Sequence, residues 1–191
     1  GFVAHSALHI EPSMVALLGA GVLVALSKLE PPQFLEEVEW PTLVFFMGLF
    51  VMVGALVEVG IIGRVGEMLT EAVGGRYLLA SSALLWASGL LSAIVDNIPY
   101  VATVTPLVQT LVDAGSGSGQ ATALWWALAL GADLGGNATA VGASANVVVI
   151  GIAARNGHPI SFWHFTKYGS IVAFVTIAIS WVYLWLRYYA F

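Results

Sequence analysis

Long apolar runs separated by short polar stops set the plan of this chain. Met14–Leu29, rich in Val, Ala, Leu and Gly, predicts a first membrane helix that Ser13 can cap and that ends near Lys28. Glu30–Trp40 carries Pro31-Pro32 and the acids Glu30, Glu36, Glu37 and Glu39, and predicts a polar loop. Trp40 marks the interface, where amphipathic aromatics settle. Pro41–Ile62 predicts a second membrane helix, with Pro41 in the first turn and one acid, Glu58, near the end. In Gly63–Gly75 the pattern changes: Arg64, Glu67, Glu71 and Arg76 alternate with Val65, Met68, Leu69 and Val73. That is an amphipathic surface helix closed by Gly74-Gly75.

Tyr77–Val95 is apolar again and stops at Asp96-Asn97-Ile98-Pro99; the arm Tyr100–Val112, with Thr103, Thr105 and Pro106, follows at once. If both arms span the bilayer, Asp96-Asn97 is a surface turn. If they form a re-entrant hairpin, it is the tip in mid-membrane. The pattern permits both. Asp113–Gln120 reads as a flexible connector. Arg155–Lys167, with His158, Pro159 and His164, reads as a loop and short interfacial segment. Tyr168–Arg187 is the last predicted helix, with Trp181, Trp185, Tyr188 and Tyr189 as an aromatic belt.

The costliest stretch is Gly131–Ile150, inside the apolar run Ala121–Ala154. It holds Asp133, four Gly, Thr139, Ser144, Asn137 and Asn146. Gly135 and Gly136 each weaken a helix by roughly 1 kcal/mol relative to Ala. A straight helix over this run would be about 51 Å long at about 1.5 Å per residue, too long for one perpendicular span. The expectation is a helix broken at Gly135-Gly136, with Asn137 beside the break.

Composition narrows the class. The chain is 59% apolar and 9% charged, with a mean hydropathy of +0.91, against roughly a quarter charged in soluble domains. It is expected to be an integral membrane protein, with the lipid bilayer as its first partner. A net charge of -5 argues against nucleic acid. Without cysteine there is no disulfide or thiolate site. Residues 1–11 show no signal-peptide pattern, and position 1 is not Met, so a fragment of a longer protein is expected. Basic residues fall on both sides in either topology and do not orient the chain.

Broken helices and hairpin tips at membrane depth are tolerated where they line a cavity or pack inside protein, and in secondary transporters they surround a midplane site. Asp96, Asn97, Gly135, Gly136, Asn137, Thr139, Ser144 and Asn146 are therefore the candidates for solute or ion binding. Asp96, Asp133 and Glu58 are candidates for proton coupling. The plain alternatives are a cap or surface turn for Asp96, capping for Asn97, Asn137 and Asp133, and back-bonding to their own helix for Thr139 and Ser144. For Glu58 it is snorkelling. Small residues such as Gly142, Ala143 and Ala145 also let helices approach closely. His5 and His9 are four apart, without a third ligand in view beyond Glu11, so no metal site is expected. His158 and His164 read as loop residues. No nucleotide-binding or hydrolase motif is present, and an intramembrane aspartyl protease would have only Asp96 and Asp133 to use; no enzyme activity and no cofactor is expected.

Three stretches carry a family resemblance: Glu39-Trp40-Pro-Thr-Leu-Val-Phe-Phe-Met-Gly-Leu-Phe, Asp96-Asn97-Ile98-Pro99, and Leu134-Gly-Gly-Asn-Ala-Thr-Ala-Val-Gly-Ala-Ser-Ala-Asn146. They resemble the arsenical-pump membrane protein and pink-eyed-dilution (melanosomal P) protein family. That family lies in the ion-transporter superfamily, with citrate or dicarboxylate transporters and sodium/proton antiporters as relatives. The resemblance implies an all-α membrane protein built from inverted repeats, of which this chain looks like the C-terminal one. Scaffold helices and the surface helix would occupy 13–76, a re-entrant hairpin 77–113, a discontinuous helix 121–154 and the last helix 168–190, all in one membrane domain over 1–191. It further implies half of a secondary active transporter in a bacterial inner membrane, moving an inorganic ion or small oxyanion such as arsenite, coupled to protons or sodium. Its partners would be the missing N-terminal repeat and, in a homodimer, a second copy. Sodium/proton antiport and citrate or dicarboxylate transport are the nearest alternatives; a non-transporting assembly module is the alternative of another class. Dicarboxylate carriers in the superfamily have Ser-Asn-Thr at the tip, whereas this chain has Asp-Asn-Ile-Pro, which adds a carboxylate.

Overall fold

The computed structural model describes residues 3, 9–27, 30–36, 38, 40–115 and 118–190, and all regular structure among them is helical. His5, Lys28, Glu37 and Glu39, and with them the His5–His9 pair and the end of the first predicted helix, lie outside the described residues. The chain forms two compact units, 1–47 and 48–191.

In the first unit, α1 runs Pro12–Ser27 and α2 Pro31–Glu36; α3, Trp40–Glu58, begins here and continues into the second unit. α1 starts at Pro12, so Ser13 sits inside the first turn instead of capping it. The stretch expected to be a loop holds α2, whose first turn is tied by Glu30 N–H donating to the Gln33 side chain at 3.2 Å. Two prolines at a helix start suit helical φ and lack only N–H groups that have no partner there. The Trp40 indole donates to the Leu35 carbonyl at 3.0 Å.

In the second unit, α3 stops at Glu58, four residues short of the predicted end. Gly60 takes φ 75°, a left-handed value that favours glycine, and α4, Ile61–Val73, leaves at 67° to α3. α4 closes on Gly74 and Gly75 at φ 52° and 79°. Next come α5 (Tyr77–Ser92), α6 (Asn97–Ala114), α7 (Gly119–Gly135), a 3-10 turn (Gly136–Ala138), α8 (Ser144–Arg155) and α9 (Phe162–Tyr188). The last helix begins six residues before the predicted Tyr168, because Ser161 caps it by accepting from His164 N–H at 3.2 Å. His164 and Lys167 are therefore helical, while His158 stays in the loop. Among the described residues, α9 is the one single helix long and apolar enough by length and composition to cross a membrane; α1, α5 and α8 are shorter apolar helices.

α7 is the centre of the second unit. Leu124 and Leu128 pack with Val108 and Leu111 of α6, while Ala127 packs with Leu85 of α5 and with Ile177 and Leu184 of α9. The α5–α7 approach is close enough to forbid side chains. A Cβ on Gly131 would run into the Leu85 carbonyl, and one on Gly135 into the backbone of Gly89. Small residues bring helices together in this way, and the approach places the end of α7 against the end of α5.

α8 is different. It buries none of its twelve residues, so its position depends on what holds its first turn.

Candidate functional site

The polar turn between α5 and α6 starts a helix. Asp96 is the N-cap of α6, its Oδ1 accepting from Ile98 N–H at 3.2 Å. Pro99 falls in the first turn, where an N–H would have no helical partner. The same carboxylate reaches across the fold: Oδ2 accepts from the Ser144 N–H, the first residue of α8, at 2.9 Å. Ala143, the N-cap of α8, offers no side-chain cap, so Asp96 supplies it from 48 positions away. Two helix N-termini thus meet on one carboxylate. Each carries about half a positive charge.

α7 ends at Gly135, with Gly136 as its C-cap; both glycines keep helical φ, -63° and -56°, into the 3-10 turn, and the chain turns extended at Thr139, φ -131° and ψ 163°. The glycines mark close approach: Gly135 lies on Gly89, and a Cβ on Gly136 would come within 2.9 Å of the Gly142 carbonyl. The broken stretch is Thr139–Ala143, and side chains replace its lost helical hydrogen bonds. Thr139 Oγ1 donates to the Ala93 carbonyl at 2.5 Å and accepts from Gly142 N–H at 3.0 Å. The Asn146 amide donates to the carbonyls of Gly136 and Thr139, both at 3.0 Å. The Thr139 carbonyl also accepts from Gly142 N–H at 3.3 Å.

The other candidates are placed apart. Asn97 is half-buried at the start of α6, beside Asp96, and its side-chain amide makes no hydrogen bond within the described residues. Ser144 presents an exposed side chain at the same junction. Asn137 instead borders a groove with Ile160, His164, Tyr168 and Val172, on the α9 side. Asp133 is exposed inside α7 and caps nothing. Glu58 is exposed at the end of α3. Hydrogen bonds bring Asp96, Thr139, Ser144 and Asn146 together around the junction, with Asn97 next to Asp96 in the chain; Asn137, Asp133 and Glu58 are not part of that set. Among the described residues, no cluster of three His, Asp or Glu side chains gathers for a metal.

Residues not singled out from the sequence also hold the junction. Ser92 Oγ donates to the Ala132 carbonyl at 2.5 Å, and a Cβ on Gly142 would lie 3.0 Å from the Ser92 carbonyl. Ser81, Ser88 and Ser92 are all buried in α5 at spacings of seven and four, a one-face pattern that was available as a signal. At the far end of the unit, the Tyr189 hydroxyl bonds the carbonyls of Tyr77 and Gln120 at 3.0 and 3.2 Å and Ser81 Oγ at 3.0 Å. Burial raises the Tyr189 pKa, partly offset by the Ser81 hydrogen bond.

Comparison with known proteins adds the family. The citrate transporter profile matches residues 1–131. An uncharacterized transporter of Mycobacterium tuberculosis is 57% identical over 190 residues, 100% of this chain and 44% of that protein. A 46 kDa membrane protein of Mycobacterium leprae is 53% identical over 187 residues, 98% and 44% of the two chains. The P protein of Mus musculus is 39% identical over 183 residues, 93% of this chain and 22% of its own length. The chain spans less than half the length of these relatives. No solved structure matches it.

Proposed function

This chain belongs to the citrate transporter family, whose members are membrane transporters and not enzymes, and we propose that it is the C-terminal half of a secondary active transporter. In this reading the turn Asp96-Asn97 and the break Thr139–Ala143 form half of a site for a small inorganic ion or oxyanion such as arsenite. Protons or sodium drive it, with Asp96 as the coupling group. A first repeat completes the site, two copies associate as a homodimer, and the protein resides in a bacterial inner membrane. The single observation that carries the reading is the Asp96 carboxylate shared between the amides of Ile98 and Ser144. A proton or cation arriving there competes directly with the bonds that fix α8, so ion occupancy and helix position are linked. Recognition without cysteine would run through oxygen and amide hydrogen bonds, and the free Asn97 amide has both donors and an acceptor to offer.

Citrate or dicarboxylate transport is the second reading, supported by the family description and by two helix N-termini, which attract anions. The resident carboxylate works against it through like-charge repulsion. Asp96→Asn in the full-length transporter, reconstituted in vesicles, tests both. The expected result is loss of the pH and sodium dependence of transport. Unchanged dependence removes the coupling role, and a gain in citrate uptake favours the second reading.

A further inference from the structure

Acidic residues end early in this chain. Asp133 is the last one; residues 134–191 contain Arg155, Lys167 and Arg187 with His158 and His164, and no Asp or Glu. Four of these five basic side chains fall at one turn of the chain: Arg155 ends α8, His158 lies in the connecting loop, and His164 and Lys167 sit in the first two turns of α9. Two cavities open at this turn and share Ile160 and His164 as walls. One, of about 470 Å³, is a polar mouth between His158, Ser161 and His164. The other, of about 350 Å³, follows one face of α9 through Phe165 and Tyr168 to Val172 and reaches Asn137. From His164 to Val172 the helix rises about 12 Å. The Lys167 ammonium stands 5.7 Å from the Tyr168 ring centroid, beside this channel. Trp163, 77% exposed, projects from the same turn, as interfacial aromatics do.

We propose that this groove holds one anionic phospholipid. Its phosphate sits in the mouth, hydrogen-bonded by the imidazoles of His158 and His164, with Lys167 and Arg155 supplying positive charge. One acyl chain runs down the channel past Phe165 and Tyr168 to Val172. Charge complementarity selects the occupant: in a chain of net charge -5, this turn lies in the longest acid-free stretch. Basic pockets beside membrane helices bind anionic headgroups for this reason. The shape, a polar mouth opening into an apolar channel, fits an amphiphile and not a free ion. The inference rests on the membrane setting of the family and is independent of the transported solute.

The test is native mass spectrometry of the delipidated full-length transporter after exposure to phosphatidylglycerol, phosphatidylcholine or glycerol 3-phosphate. Phosphatidylglycerol should be retained roughly tenfold better than phosphatidylcholine, as several basic groups near one headgroup imply. That preference should disappear in His158→Ala/Lys167→Gln, which alters exposed side chains only, and retention should fall in Val172→Trp, which fills the channel. Equal retention of the two lipids, unchanged retention in both variants, or capture of glycerol 3-phosphate as strong as that of phosphatidylglycerol would overturn the proposal.

Discussion

The carboxylate of Asp96 and the backbone amide of Ser144 meet at 2.9 Å across 48 residues of sequence. α8 has no buried residue of its own, so this bond and the two from Asn146 locate its start. Asp96→Ala removes the acceptor for both Ile98 and Ser144, whereas Asp96→Asn keeps a good cap for α6. Loss of a cap costs about 0.5–2 kcal/mol. Hydrogen–deuterium exchange over 144–155 should speed up in the Ala variant, with α7 unchanged. Identical exchange over 144–155 in wild type and Asp96→Ala would show that the bond does not hold α8.

Asn146→Ala should loosen the same element by another route. It removes one donor from each of the carbonyls of Gly136 and Thr139, the Thr139 carbonyl keeping Gly142 N–H at 3.3 Å, and a lost hydrogen bond costs about 0.5–1.5 kcal/mol. Thermal unfolding of the full-length protein should show a lower midpoint, with Asn146→Asp close to Ala because a carboxylate cannot donate.

The glycines of α7 and α8 should respond oppositely to a methyl group. Gly135→Ala drives a Cβ into the backbone of Gly89, and overpacking of this kind costs typically about 1–3 kcal/mol. Gly151→Ala meets nothing within 4 Å and should be neutral or stabilising by about 0.5–1 kcal/mol through helix propensity. Equal melting temperatures for the two variants would contradict the packing assigned to α5 and α7.

Tyr189→Phe should separate the end of α9 from the starts of α5 and α7, lowering stability by about 0.5–1.5 kcal/mol. The pH dependence has a definite sign. Burial raises the Tyr189 pKa above 10.0, so its contribution is present below pH 10.0 and is lost as pH rises through the folded-state value. Alkaline unfolding should therefore start earlier in wild type than its neutral-pH advantage over the Phe variant suggests, and the two curves should converge.

The sequence made the apolar arms and the closing glycines readable, since Gly74-Gly75 follows an amphipathic run and both residues adopt left-handed φ. The α-helix ends at Gly135-Gly136, as two adjacent poor helix formers predict, and the α5 backbone at Gly89 leaves no room for a side chain there. The chain turns extended only at Thr139, where bonds to Ala93 and from Asn146 replace the helical ones; those are tertiary contacts with no local signature. The Asp96 cap of α6 was readable from Asp followed by a first-turn Pro. Its second bond, to Ser144, depends on how α5 and α7 pack. The start of α9 does have a local signal, Ser161 before an aromatic run, set among polar His and Lys residues.

The meeting of two helix starts on one carboxylate also has an electrical side. A helix dipole carries as much negative charge at its far end as positive charge at its start, so two helix starts add no net charge to the carboxylate they share. A proton or a monovalent cation joining the junction cancels the carboxylate's negative charge. Moved through a potential of 100 mV, one such charge is worth about 2.3 kcal/mol. Counting this junction alone, a transporter whose mobile part carries it would thus be voltage-driven when empty and nearly indifferent to voltage when loaded, and a current would accompany the empty step alone.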